Sequence, residues 1–178
     1  MSPPKLLGIP GSLRKDATNR LMCREAARAF GECDYTEADL NLPLYNGDVE
    51  AEGIPASVTL LRDQVLAADA VVFSTPEYNK NLSGVLKNAL DWLSRAEGGR
   101  AALTGKPVSV MASASGRAGG ERAVNSLVLC LTPFHPNLIY GPEMNVAGAE
   151  NAFQDGRLQD QHALKIMGVL MAKLRAAI

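Results

Sequence analysis

Three stretches of this chain hold the residue types and spacings best suited to chemistry. The first, Gly8 to Asn19, carries hydroxyls at Ser12 and Thr18, a guanidinium at Arg14 and an amide at Asn19, directly before a helical pattern. The first turn of a helix has unpaired amides and about half a positive charge, so a phosphate is favoured there. Arg14 can add a two-pronged, charge-assisted contact. A plainer reading makes Thr18 or Asn19 a helix cap and leaves Arg14 in solvent, and the pattern alone leaves both open. The second stretch, Thr75-Pro76-Glu77-Tyr78-Asn79, follows the apolar run Ala70 to Phe73 and precedes an amphipathic segment. Such a loop can wrap a flat ring with backbone groups, and Tyr78 supplies an aromatic body with a polar tip. Its plainer reading is a turn in which Ser83 caps the next helix and Glu77 is merely solvated. The third, Ser113 to Gly120, offers hydroxyls at Ser113 and Ser115 and close backbone approach at Gly116, or else a flexible connection. A phosphate together with a planar ring describes a nucleotide.

Other chemistries fit less well. Nowhere does G-x-x-x-x-G-K-[ST] occur, and the first loop lacks G-x-G-x-x-G. His135 and His162 stand far apart without cysteine or carboxylate spacing for a metal, so no metal site is expected. Ser113 and Ser115 are not in a G-x-S-x-G elbow, which removes the hydrolase reading. With 18 basic and 19 acidic residues and a formal charge of -1, the chain lacks the basic excess of a nucleic-acid binder. No run approaches the roughly 18 apolar positions of a membrane span. Cys23, Cys33 and Cys130 are odd in number and widely spaced, which reads as free thiols in a reducing, cytoplasmic compartment. Cys23 and Cys130 fall in patterns that suit buried packing.

Strands and helices alternate along the chain, and that alternation must position the loops. Strands are expected at Lys5 to Ile9, Asp34 to Asp39, Asp69 to Ser74, Pro107 to Ala112 and Asn137 to Tyr140. Helices are expected at Asn19 to Phe30 (stripe Met22, Ala26, Ala29, Phe30), Val58 to Ala67 (Val58, Leu61, Val65, Leu66 inward) and Ser83 to Ala96. Two more follow at Glu121 to Leu131 and Gln161 to Ala176. Leu42 to Asp48 reads as a polar, proline-bearing connection. Five strands alternating with five helices predict an α/β, flavodoxin-like three-layer sandwich. Its five-stranded parallel sheet has the order 2-1-3-4-5 with helices on both faces, as one domain over residues 1–178. In that order the three loops follow strands one, three and four, around the crevice where open α/β sheets place ligands.

Two motifs carry a family resemblance. One is Gly11-Ser12-Leu13-Arg14-Lys15 with Asn19 downstream; the other is Pro76-Glu77-Tyr78-Asn79 followed by Gly84-Val85-Leu86-Lys87-Asn88-Ala89-Leu90-Asp91-Trp92-Leu93-Ser94. In these the chain resembles the NADPH-dependent FMN reductases of the flavodoxin-like superfamily, a group that includes bacterial quinone and chromate reductases. The resemblance runs from about Leu6 to the final helix. It implies a non-covalent FMN, with Ser12, Arg14, Thr18 and Asn19 at the phosphate. Pro76, Glu77, Tyr78 and Asn79 would border the isoalloxazine, and Ser113 and Gly116 would lie near the ring or ribityl chain. It further implies a homodimer or homotetramer whose second chain approaches the cleft. Three departures stand out: Lys80-Asn81-Leu82-Ser83 replaces the usual sequence after Asn79, Thr18 stands for Ser, and Asp16 stands for Gly.

The expected activity is transfer of hydride from NADPH or NADH through bound FMN to quinones or similar small acceptors such as azo dyes, chromate or free flavin. The cofactor carries that chemistry, so no side chain need act as acid, base or nucleophile. Backbone amides at Glu77 to Asn79, with Arg14 and the helix dipole, would favour added negative charge on the ring. The alternative is a flavodoxin-type electron carrier that binds FMN without turning over a nicotinamide. A flavin-free scaffold on the same fold is a third reading.

Overall fold

Alternation along the apolar runs explains the architecture. In β1 (Lys5–Pro10), Leu7 and Ile9 face one side of the sheet while Leu6 faces the other. Val71 and Phe73 oppose Ala70 and Val72 in the same way in β3 (Ala70–Thr75). A strand whose residues are buried on both faces needs helices above and below. The computed structural model describes residues 2–178 and supplies them.

The remaining elements, in chain order, are α1 (Thr18–Phe30), β2 (Asp34–Glu37), α2 (Gly47–Glu52), α3 (Ala56–Ala67), α4 (Gly84–Arg95), β4 (Pro107–Ser113) and α5 (Glu121–Leu131). After these come β5 (Asn137–Leu138), β6 (Asn145–Val146), α6 (Ala149–Ala152), β7 (Phe153–Gln154), β8 (Arg157–Leu158) and α7 (Gln161–Ala176). The parallel order β2-β1-β3-β4-β5 is as expected. One core packs α3, α4 and α5 against Leu7, Phe73 and Val110. The opposite core packs Met22, Ala26 and Phe30 of α1 and Met167, Leu170 and Leu174 of α7 against Leu6 and Val72. Ala29 and Leu66, expected inward, are exposed instead. Each lies at the margin of its helix stripe.

The fifth position in the sheet departs from the simple alternation. β5 pairs only with Pro107 and Val108 at the start of β4, whereas the expected strand ran on to Tyr140. Gly141 and Pro142 then turn the chain, Pro142 having no amide to offer a ladder. It returns as β6 beside Ala112 and Ser113 at the far end of β4, a sixth strand in the sheet. Leu42 to Asp48 also differs, since α2 begins there at Gly47, capped by the Asn46 side chain accepting from the Asp48 amide. Trp92 is fully buried on α4, its indole N–H donating to the Pro43 carbonyl at 2.7 Å, with Tyr45 edge-on.

Candidate functional site

β1, β3 and β4 all end on one rim, and the loops that leave them enclose a cleft of ≈ 550 Å³. That volume lies within the range of small-molecule sites. The first wall is the β1–α1 loop. Gly11 crosses β3 closely, its amide donating to the Ser74 carbonyl at 2.7 Å, and a Cβ there would stand 2.9 Å from Ser83 Oγ. α1 is preceded by Ala17 in extended geometry, and no side chain caps it. Neither Thr18 nor Asn19 is therefore a cap. Their amides belong to the first turn and have no intrahelical acceptor. Arg14 is exposed at the cleft and makes no ion pair among the described residues.

Asn19 has a more specific role than its residue type suggested. Its side chain is 3% exposed. Oδ1 accepts from Ser74 Oγ at 2.7 Å and from the Ser113 amide at 3.1 Å, while Nδ2 donates to the Ser113 carbonyl at 2.9 Å. It ties the ends of β3 and β4 to the start of α1. Its side-chain bonds are spent on the protein, so towards the cleft it presents its backbone amide and a wall.

The second wall is the β3–α4 loop. Thr75 Oγ1 donates to the Pro76 carbonyl, and Ser83 Oγ accepts from the Leu86 amide, so Ser83 does cap α4. Between them, Tyr78 and Asn81 exchange backbone hydrogen bonds at 3.0 and 3.1 Å. Asn79 (φ 51°) and Lys80 (φ 66°) form the tip, both left-handed as a type I′ turn requires. Two corrections follow. Asn79 sits at this tip and is not part of the cleft lining, unlike Pro76, Glu77 and Tyr78. The Tyr78 amide, expected to face the ring, is committed to the Asn81 carbonyl.

Glu77 is not simply solvated. Its carboxylate accepts from Arg122 Nη1 at 3.0 Å and from the Arg122 backbone amide at 3.2 Å. The third wall, Ser113 to Gly120, is likewise anchored rather than loose. The Ala114 amide donates to the Val146 carbonyl, and Gly119 (φ 62°) lies so close to β6 that a Cβ there would stand 3.0 Å from the Ala147 nitrogen. Gly120 (φ 99°) admits no side chain, because a Cβ would lie 2.5 Å from that of Ala112. Ser113 Oγ is buried and has no hydrogen-bond partner among the described residues.

Of the residues expected at the site, Ser12, Arg14, Thr18, Asn19, Pro76, Glu77, Tyr78, Ser113 and Gly116 are brought together, and Asn79 is not. Sequence reasoning assigned no role to Arg117, Arg122 or Glu150, which also line the cleft. Arg122 could have been suspected as the cation nearest the start of α5. Glu150 had no signal, because only the return through β6 carries it to the rim. Among the described residues, no cluster of three His, Cys, Asp or Glu side chains could hold a metal, and no helix is long and apolar enough to cross a membrane. Cys23 is buried, while Cys33 and Cys130 are half-buried.

An open parallel sheet whose rim cleft gathers the first amides of a helix, an exposed guanidinium, an aromatic side chain and a buried hydroxyl defines a flavodoxin-like nucleotide-binding protein. Comparison with known proteins is more specific. The family model for NADPH-dependent FMN reductases matches residues 4–151, and this chain belongs to that family. It is 41% identical over 168 residues to an NAD(P)H-dependent FMN reductase of Pseudomonas aeruginosa, covering 92% of this chain and 89% of that protein. A quinone reductase of Pseudomonas putida is 38% identical over 160 residues, covering 86% and 83% respectively. Among solved structures, the flavoenzyme NAD(P)H:(acceptor) oxidoreductase FerB from Paracoccus denitrificans superposes with a TM-score of 0.82 at 30% identity, covering 97% of this chain and 96% of that one.

Proposed function

We propose that this protein is an FMN-dependent NAD(P)H oxidoreductase acting on quinones or similar small acceptors. When bound in the cleft, FMN would supply the hydride-transfer chemistry between reduced nicotinamide and acceptor. The observation that carries this reading is the cleft itself, which gathers on one rim donors of the types that a phosphate and a flavin ring would take up. The amides of Thr18 and Asn19, the Arg14 guanidinium and the Ser12 hydroxyl would hold the phosphate. The buried, unpartnered Ser113 Oγ would donate to, or accept from, the ribityl chain or ring edge. Pro76 and Tyr78 would border the ring, and Gly116 would let the backbone come close. Asn79 would act only through the turn that holds Tyr78.

The residues form one folding unit in this reading, with two cores built on a single sheet. A homodimer or homotetramer is supported by large apolar side chains left exposed, among them Leu129 (70%) and Tyr78 (53%). Sedimentation analysis reads that state directly. Three free thiols suit a cytoplasmic setting.

The decisive experiment is an absorbance spectrum of the purified protein, reconstituted with FMN if colourless, followed by separate anaerobic additions of NADPH and NADH. Rapid bleaching of the flavin band, restored on adding a quinone, is the expected result. A flavin band that persists under both nucleotides would assign the chain to the electron carriers. A protein that takes up no FMN would remove the flavin reading altogether.

A further inference from the structure

α5 begins without a cap of its own: Gly120 precedes it and has no side chain. The missing acceptor comes from another loop. Glu77, 45 residues earlier, accepts the Arg122 amide in the first turn of α5 and pairs with the Arg122 guanidinium through its other oxygen. A few residues further on, Asn81 Oδ1 accepts from Ser126 Oγ on the same helix. The β3–α4 loop is thereby clipped to α5 at two points, the first of them beside the cleft. Glu77 and Arg122 both line that cleft. The Glu77 side chain is 14% exposed, so its charge is only partly screened by water.

We infer that Arg122 is a positioning residue for the flavin cleft. It holds the Glu77 carboxylate against α5, which sets where the β3–α4 loop sits beside the ring. It also cancels a negative charge that would otherwise face an anionic cofactor. The inference rests on the FMN reading above.

Its test uses Arg122→Gln, Arg122→Lys, Glu77→Gln and the double variant Glu77→Gln/Arg122→Gln. The readouts are FMN affinity by fluorescence titration and the midpoint potential of the bound flavin by spectroelectrochemistry. Arg122→Gln should raise the FMN Kd by roughly tenfold, as befits one uncompensated charge at a part-buried site. It should also move the potential to more negative values, because Glu77 then opposes each added electron. Removing the Glu77 charge on that background should bring the potential back towards the wild-type value. Arg122→Lys, which keeps the charge without the planar fork, should hold the potential close to wild type. A native Kd and potential in Arg122→Gln would overturn the inference, as would a double variant displaced as far as Arg122→Gln alone. Wild-type protein that binds no FMN would instead overturn the reading of the cleft, and the wild-type titration run alongside separates the two failures.

Discussion

At the residue scale, the first loop divides its work between Arg14 and Asn19. Both were candidates for the same phosphate, yet one is exposed and makes no ion pair among the described residues, and the other is buried with three side-chain hydrogen bonds to the protein. Their substitutions should therefore fail differently. Arg14→Ala should weaken FMN binding by roughly 1.5–3 kcal/mol, the range for hydrogen bonds to charged groups, with little change in stability. An unaltered fluorescence titration would remove Arg14 from the site. Asn19→Ala leaves Ser74 Oγ and both Ser113 backbone groups without their partner. It should cost about 1–3 kcal/mol of folding stability for each group left unsatisfied, read by urea denaturation. Equal stability in wild type and variant would contradict the tie described for Asn19.

At the element scale, the short β7–β8 hairpin depends on one carboxylate. Glu25 on α1 is 2% exposed, accepting from Arg28 Nη1 and Arg157 Nε, each at 2.7 Å, and from the Leu158 amide at 3.3 Å. Two-stranded hairpins are marginal in water unless packed against something, and this one rests on α1 through that contact and Leu158. Glu25→Ala should speed amide exchange selectively across residues 153–158 and cost roughly 1.5–3 kcal/mol. Native-state hydrogen exchange measures this, and uniform protection would show that the apolar contacts suffice. The hairpin was not visible in the sequence. Its strands are two residues each, too short for any alternation, and its anchor lies 132 residues away.

For the molecule as a whole, alkaline pH exposes a weakness of the α1 face. Burial pushes the Cys23 thiol far above its ordinary value of 9.0, and burial beside Cys23 and Glu37 raises the Tyr35 phenol well above 10.0. Both groups keep their protons in the folded state and release them on unfolding at high pH. Each contribution is fully present below the group's ordinary value and is lost as pH rises past it, from about pH 9 for Cys23 and about pH 10 for Tyr35, by about 1.4 kcal/mol per pH unit for each group. Urea midpoints should fall between pH 8 and about pH 11, and Tyr35→Phe should make the fall shallower above about pH 10; a variant with the wild-type slope there would contradict this origin. The same two-sided burial explains how much could be read without coordinates. Apolar runs such as Ala70 to Phe73, the helix stripes of α4 and α7, and the proline and glycine punctuation are local, and they determined the element types, the strand order and which loops reach the ligand rim. Contacts between distant residues were decided only by tertiary structure. Asn19 became a tie because β3 and β4 end beside it, and Asn79 left the cleft because a type I′ turn lifts it to the tip. Glu77 meets Arg122 only where the β3–α4 loop reaches the first turn of α5. Periodicity is a property of neighbours along the chain, whereas charge pairing and hydrogen-bond satisfaction depend on which loops the sheet brings within about 3 Å.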